Sequence, residues 1–338
     1  MKDPLPGTDA WLALVVEDIV DPDQRIIDPH HHLWQRPDIG DYVQPQLHAD
    51  TESGHRIEQT VFVECGASYR QDGPEHLRVI GETEFVVEVA RQTHGSGGAE
   101  IRAIVARADL RLPPAQLDEV LDAHVEAGAG MFRGIRHALA RARYPQAMTI
   151  PGAAPEGLGA DPDFRRGVAR LGARGLTYDS WHYHHQMDEF LDLVRACPET
   201  TCVLDHFATP VGVGPFAGER EAIFEQWRKD MATLAREPNV VAKLGGLAMP
   251  DNGFGWDKRA APPTSDEFVA AQARWFHHTI DCFGPERCMF ESNFPVDRRS
   301  ISYPVLYNGL KKIAARYTAA ERDAMFLGTA ARVYGLTT

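Results

Sequence analysis

Three histidines stand together in the run Asp28-Pro29-His30-His31-His32-Leu33-Trp34. If that run ends a β-strand, side chains two apart share a face. His30 and His32 then point to one side with Asp28 one layer below them, and His31 points to the other. Two neutral imidazoles converging on one point can hold a divalent metal or polarise a carbonyl. Three later segments also end in polar residues: Leu204-Asp205-His206-Phe207, Ala242-Lys243-Leu244-Gly245-Gly246 and Phe290-Glu291-Ser292-Asn293-Phe294-Pro295-Val296-Asp297. Taken singly, His206 reads as a hydrogen-bonded structural histidine and Glu291 as an ion-pair partner for Lys243 or an arginine, since buried carboxylates are usually paired. Chemistry requires a scaffold that brings these segments to one place.

Short β-branched or apolar runs recur at 25–28, 60–64, 101–106, 131–135, 176–179, 201–205, 240–244 and 287–291, each followed by a loop and then a helical pattern. Amphipathic candidates lie at 76–92, 115–127, 163–173, 186–196, 219–236 and 266–283, and a closing helix pair at 304–317 and 319–334. Eight such units predict an α/β fold, a (β/α)8 TIM barrel over 24–338 with a short N-terminal extension over 1–23. A dinucleotide fold is excluded by the missing G-x-G-x-x-G after the first strand, and a P-loop by the absence of G-x-x-x-x-G-K-[ST]. In a barrel every polar strand end above falls on the C-terminal rim, where active sites assemble. The long interruptions at 141–161 and 245–264 fall there too, in the position of lids or specificity loops.

The chain has 338 residues, 43% of them hydrophobic and 25% charged, enough for a large core. Its formal charge of −13 and pI of about 5.6 argue against binding nucleic acid or an anionic membrane surface. An anionic substrate would need a local basic patch. Five cysteines without a C-x-x-C, together with an N-terminus unlike a signal peptide, fit a reducing cytoplasm. No segment approaches a membrane span. A serine hydrolase lacks its G-x-S-x-G and a helical zinc protease its H-E-x-x-H.

The ordered set D-x-H-x-H-x-W (Asp28, His30, His32, Trp34), L-D-H-F (Leu204 to Phe207), K-L-x-G (Lys243 to Gly246) and S-x-x-P (Ser292, Pro295) resembles the amidohydrolase superfamily. The similar branch contains 2-pyrone-4,6-dicarboxylate lactonase and the sugar lactonases acting on fucono- and rhamnono-lactone. The likeness runs from about residue 25 to the C-terminus. It implies a hydrolase that opens a lactone or related cyclic ester or amide, with His30, His32 and His206 around the electrophile. It also implies that the aspartate ending the eighth strand activates water. Here that position is Asn293, and an amide has no basic site near neutral pH.

Three replacements stand open. Glu291, on the same strand face, can supply the carboxylate; Asp297 or a histidine at the rim can act as base; or the chemistry needs no base there, as in a metal-dependent decarboxylation of an aromatic or unsaturated acid on the same barrel. His30, His32 and His206 also meet the three-ligand count of a mononuclear zinc or manganese site, and metal-free catalysis is equally compatible with them.

After the fourth strand, Arg133, Arg136 and His137 could clamp a substrate carboxylate. After the fifth, Trp181 and His184 offer pocket walls. Glu64 and Cys65 end the second strand, where Cys65 lacks an activating partner for a nucleophilic role. The expected partner is a carbonyl-containing small molecule, neutral or anionic, and self-association is open.

Overall fold

In the computed structural model, which describes residues 4–338, eight parallel strands follow one another in chain order. They are β1 (Arg25–His31), β2 (Arg56–Val63), β3 (Glu100–Ala106), β4 (Phe132–Arg136), β5 (Thr177–Ser180), β6 (Cys202–Leu204), β7 (Val240–Leu244) and β8 (Cys288–Phe290). The principal outer helices are Ile80–Thr93, Pro114–Ala127, Pro162–Ala173, Met187–Ala196, Arg220–Leu234, Ser265–Phe283 and Tyr303–Ala314. A further helix, Gln44–Thr51, follows β1 where the sequence pattern suggests none. Of its eight residues only Leu47, His48 and Thr51 are buried, too few to produce a readable apolar stripe.

The ring is completed between β1 and β8 just past the end of β8. There the Asn293 N–H donates to the His30 carbonyl at 3.0 Å, and the His32 N–H donates to the Phe294 carbonyl at 2.8 Å. The barrel interior has two storeys. The lower is apolar, packed from Ile27, Val61, Val63, Ala103, Val105, Val203, Val241 and Met289, and is closed from below by Ala330 and Tyr334 of the C-terminal segment. Above it, strand alternation places a polar storey: Asp179 two residues after Thr177, Asp205 after Val203, Lys243 after Val241 and Glu291 after Met289.

Asp28 departs from the expected arrangement. The pairing of β1 with β2 shifts register between Asp28 and His31, next to Pro29, so the alternation slips by one residue. Ile27 and His30 both face inward, and Asp28 faces the outer helices, accepting from Tyr303 Oη at 3.0 Å and from the Ser292 N–H at 3.0 Å. His31 also points outward, with its Nε2 3.0 Å from Thr60 Oγ1.

The two long rim loops clasp each other: Asp251 of the β7 loop accepts from the backbone of Thr149 and Ile150 in the β4 loop at 2.7 and 2.9 Å. The N-terminal extension packs against the same end of the barrel. It buries Trp11, whose Nε1 donates to the Arg259 carbonyl at 3.0 Å.

Candidate active site

The polar storey is a single connected network. Lys243 Nζ, fully buried, lies 2.8 Å from Asp179 Oδ2, 3.3 Å from Asp205 Oδ1 and 3.3 Å from His30 Nδ1. Asp179 also accepts from Tyr334 Oη at 2.7 Å and Thr177 Oγ1 at 2.8 Å. Burial opposes the ammonium charge, yet Asp179 and Asp205 outweigh it and raise the Lys243 pKa above its ordinary value.

Glu291 sits between two imidazoles, with Oε1 2.7 Å from His206 Nδ1 and Oε2 2.9 Å from His30 Nδ1. Burial alone would push this carboxyl up, but His206 and His30 instead bring it down to about 2. At His206 burial opposes the charge, and the Glu291 and Asp205 carboxylates overcome it and raise the imidazole. His30 is driven the other way, well below the ordinary range, by its burial and by the Lys243 charge. Arg136 Nη1 approaches His30 Nε2 at 3.4 Å and Asp205 Oδ2 at 3.5 Å, while its Nε donates to Glu64 at 2.8 Å.

Local backbone explains why these side chains reach one another. His206 opens a run of four residues with positive φ, His206 to Thr209 (53°, 56°, 56° and 35°), which turns the chain abruptly at the end of β6. Gly246, at φ 73°, makes room for it: a Cβ there would lie 2.3 Å from His206 Nδ1. Gly245 plays the same part for Glu291, whose Cγ would be 2.4 Å from an added Cβ. The two glycines of the K-L-G-G run are thus the space into which His206 and Glu291 fit.

Above this storey opens a cavity of about 1910 Å³, with His32, Trp34, Glu64, Arg107, Arg136, His137 and Trp181 in its wall. Thr149 to Pro155 of the β4 loop and Pro6 to Asp9 of the N-terminal segment line it as well. His32, on the cavity floor, has its Nδ1 2.8 Å from the Val63 carbonyl. A carbonyl can only accept, so Nδ1 carries the proton and Nε2 is the acceptor nitrogen.

The structure thereby separates the expected residues. His30, His32, His206 and Glu291 come together, and Arg136, His137 and Trp181 stand in the cavity wall. Arg133 does not belong with them. Three residues earlier on β4, it donates to the carbonyls of Gly130, Phe132 and Tyr334 at the base of the barrel. His184 is also displaced: it lies in the short turn after β5, edge-on to Phe216, with its Nδ1 accepting from the Val211 N–H at 3.2 Å. Asn293, at φ 56°, turns its amide to Asp297, with Nδ2 donating to Oδ1 at 2.8 Å. The other oxygen of Asp297 accepts from the Ala248 N–H at 3.1 Å, and its burial raises the carboxyl to about 7.

The residues whose donor atoms converge closely enough to share an ion are not the three histidines expected as ligands. Donor atoms of His30, His206 and Glu291 all lie within 4.8 Å of one another, with His32 outside the group. Two imidazoles and a carboxylate leaving an open position are a donor set suited to zinc. The charge balance agrees. Asp179, Asp205, Glu291 and Glu64 bring four carboxyl groups against two permanent cations, Arg136 and Lys243. Glu291 Oε2 and both oxygens of Asp205 are buried without a well-formed hydrogen bond among the described residues. The residues therefore fit a divalent cation.

The amidohydrolase sequence family matches residues 27–336 of this chain. The chain belongs to the amidohydrolase family. This amidohydrolase is 34% identical to the uncharacterized protein y4mH of Sinorhizobium fredii over 328 residues, covering 92% of this chain and 99% of that one. It is 29% identical to an L-fucono-1,5-lactonase of Burkholderia multivorans, over 92% of this chain and 96% of the relative. Among solved structures, an amidohydrolase of Burkholderia multivorans with bound zinc is similar at 27% identity and a TM-score of 0.71, over 92% of this chain and 99% of that one.

The protein is thus an enzyme of this family on a barrel of eight parallel strands. No helix among the described residues is long and apolar enough to cross a membrane. Arg107, immediately after β3, is one of the wall residues that sequence reasoning missed, with Arg36, Arg111, Arg298 and Arg299. Its signal was available, since it continues the inward alternation of Ala103 and Val105.

Proposed function

We propose that this amidohydrolase hydrolyses a lactone or a closely related cyclic ester. The observation that carries the reading is the buried His30–Glu291–His206 cluster directly beneath a cavity floor made by His32 and Arg136. Support also comes from the likeness to L-fucono-1,5-lactonase.

The ring carbonyl oxygen is received by the Arg136 guanidinium, a donor in place for the charge that develops on oxygen, and His32 Nε2, as an acceptor, can hold the attacking water. Water adds to the carbonyl carbon, the acyl carbon–ring oxygen bond breaks, and a hydroxyl and a carboxylate form with release of one proton. That proton is taken by the His206–Glu291 pair: Glu291 fixes His206 Nδ1 and stabilises the imidazolium, so Nε2 is the working nitrogen. His30, Glu291 and His206 would equally hold a divalent cation, which when bound supplies the other route to the same end by acidifying the water. Lys243 holds Asp179 and Asp205 in place below.

The test is a panel of five- and six-membered lactones and cyclic esters assayed at constant pH. One equivalent of acid is expected per equivalent opened. Release of carbon dioxide from an unsaturated or aromatic carboxylic acid, with no lactone opened, would replace hydrolysis by decarboxylation.

A further inference from the structure

The wall of the cavity is rich in arginine, although the protein as a whole is acidic. The chain has a formal charge of −13, yet six arginines line this space, Arg36, Arg107, Arg111, Arg136, Arg298 and Arg299, against four carboxyl groups, Asp9, Asp41, Asp50 and Glu64. Most of these guanidinium groups have a partner: Arg36 has Asp38, Arg111 has Asp109, Arg136 has Glu64 and Arg298 has Asp9.

Among the described residues Arg299, exposed, and Arg107 do not. Arg107 is half-buried at the end of β3, and among the described residues no carboxylate lies within salt-bridge distance of it. Its one hydrogen bond, from Nη1 to the Ala108 carbonyl, is 3.3 Å long. β3 pairs with β2 and β4, so Arg107 stands beside the strand ends that carry Glu64 and Arg136. A half-buried guanidinium without a counter-charge loses hydration with no local return, and an anionic ligand restores it.

We propose that Arg107 is the centre of a carboxylate-binding subsite, and that the substrate is a lactone bearing a carboxylate away from its scissile carbonyl. The proposal rests on the lactonase reading for the reaction, and on the cavity wall alone for the charge. With the scissile carbonyl at Arg136, the pendant carboxylate pairs with Arg107, while Arg111, already paired with Asp109, stands at the exposed edge. An uncharged sugar lactone leaves Arg107 unanswered. Ring opening then yields a product with two carboxylates, one of them newly formed.

The experiment is a comparison of a neutral aldonolactone with a lactone of the same ring size bearing a carboxylate, using wild type, Arg107→Gln and Arg107→Lys. Wild type is expected to favour the acid in kcat/KM. Arg107→Gln is expected to raise KM for the acid by about 10- to 100-fold, the loss of one charge-assisted pair, with kcat and the neutral substrate little changed. Arg107→Lys should recover part of the loss. Preference of wild type for the neutral lactone, or equal damage to both substrates in Arg107→Gln with an unchanged melting temperature, overturns the proposal.

If no lactone is opened, the lactonase reading falls, and the subsite is decided by binding of glutarate measured calorimetrically. Salt-sensitive binding to wild type that is lost in Arg107→Gln sustains it. Absence of binding to wild type, or binding unchanged in the variant, removes it.

Discussion

His206 Nδ1 lies 2.7 Å from Glu291 Oε1, and both side chains are almost entirely removed from solvent. Two residues 85 positions apart thus form one acid–base unit. Replacing Glu291 by Gln keeps the shape and removes the charge that orients His206 and supports its protonated form. Activity on an accepted lactone is expected to fall by about 10²- to 10⁴-fold in kcat/KM, with far-ultraviolet circular dichroism unchanged. Retention of full activity would leave Glu291 as a structural ion-pair partner.

Lys243 has the opposite profile. It touches His30, Asp179 and Asp205 and does not reach the cavity wall, so its first contribution is to the fold. Lys243→Met leaves Asp179 and Asp205 buried without their shared cation. Breaking a buried pair on one side costs about 3–5 kcal/mol. Urea unfolding should show that loss, and the double variant Lys243→Met with Asp179→Asn should recover part of it.

The barrel and the members of the central cluster could be read from the sequence because they depend on alternation and spacing. Val203 to Asp205, Val241 to Lys243 and Met289 to Glu291 each step from the apolar storey to the polar one in two residues. Alternation failed at Asp28, where the register slip beside Pro29 reverses which side chains face inward. It failed differently at Arg133, which has the right strand but the wrong height: three residues below Arg136 on β4, it reaches the floor of the barrel instead of the rim. Ligand grouping was hidden for another reason. Which nitrogen of His32 is free depends on the Val63 carbonyl, a contact between strands that no local pattern encodes. The partnerless state of Arg107 is equally a property of what lies around it in space.

The composition of the ligand set can be tested directly. Zinc added to chelator-treated protein is expected to bind at about one equivalent and raise the melting temperature, because it completes a cluster with excess carboxylate. His32→Asn should retain this stabilisation, since His32 stands outside the group of His30, His206 and Glu291. Glu291→Gln should lose it. The reverse result, loss in His32→Asn and retention in Glu291→Gln, would restore the three-histidine set read from the sequence.

Stability should fall as the medium is acidified from about pH 6.5 towards 4, and the sign follows from the buried histidines. Burial lowers His31, His55, His124, His184 and His185 to about 4, and His137 and His182 to about 3. Unfolded, each takes up a proton near its ordinary 6.5. The folded state is therefore fully favoured above 6.5 and loses ground as pH falls towards the folded values. Five buried carboxyl groups oppose this, among them Asp179, which burial raises. Asp28 and Asp50 are raised by burial to about 6, and Glu82 and Asp297 to about 7, so their contribution is greatest at low pH and is lost as pH rises through those values. His30 and His32, which burial drives lower still, stand with these seven, and the nine histidines together against five carboxyl groups and the raised His206 leave a net loss on acidification. Melting temperatures measured from pH 7 to 4 should decline accordingly. His124, whose ring lies 2.9 Å from both Thr83 Oγ1 and the Arg107 carbonyl, is a suitable single probe. His124→Gln should flatten the decline by removing about 3 kcal/mol of pH-linked stability, whereas Asp50→Asn should steepen it by removing an opposing group. A melting temperature that rises between pH 6.5 and 4 would mean that the carboxyl groups dominate.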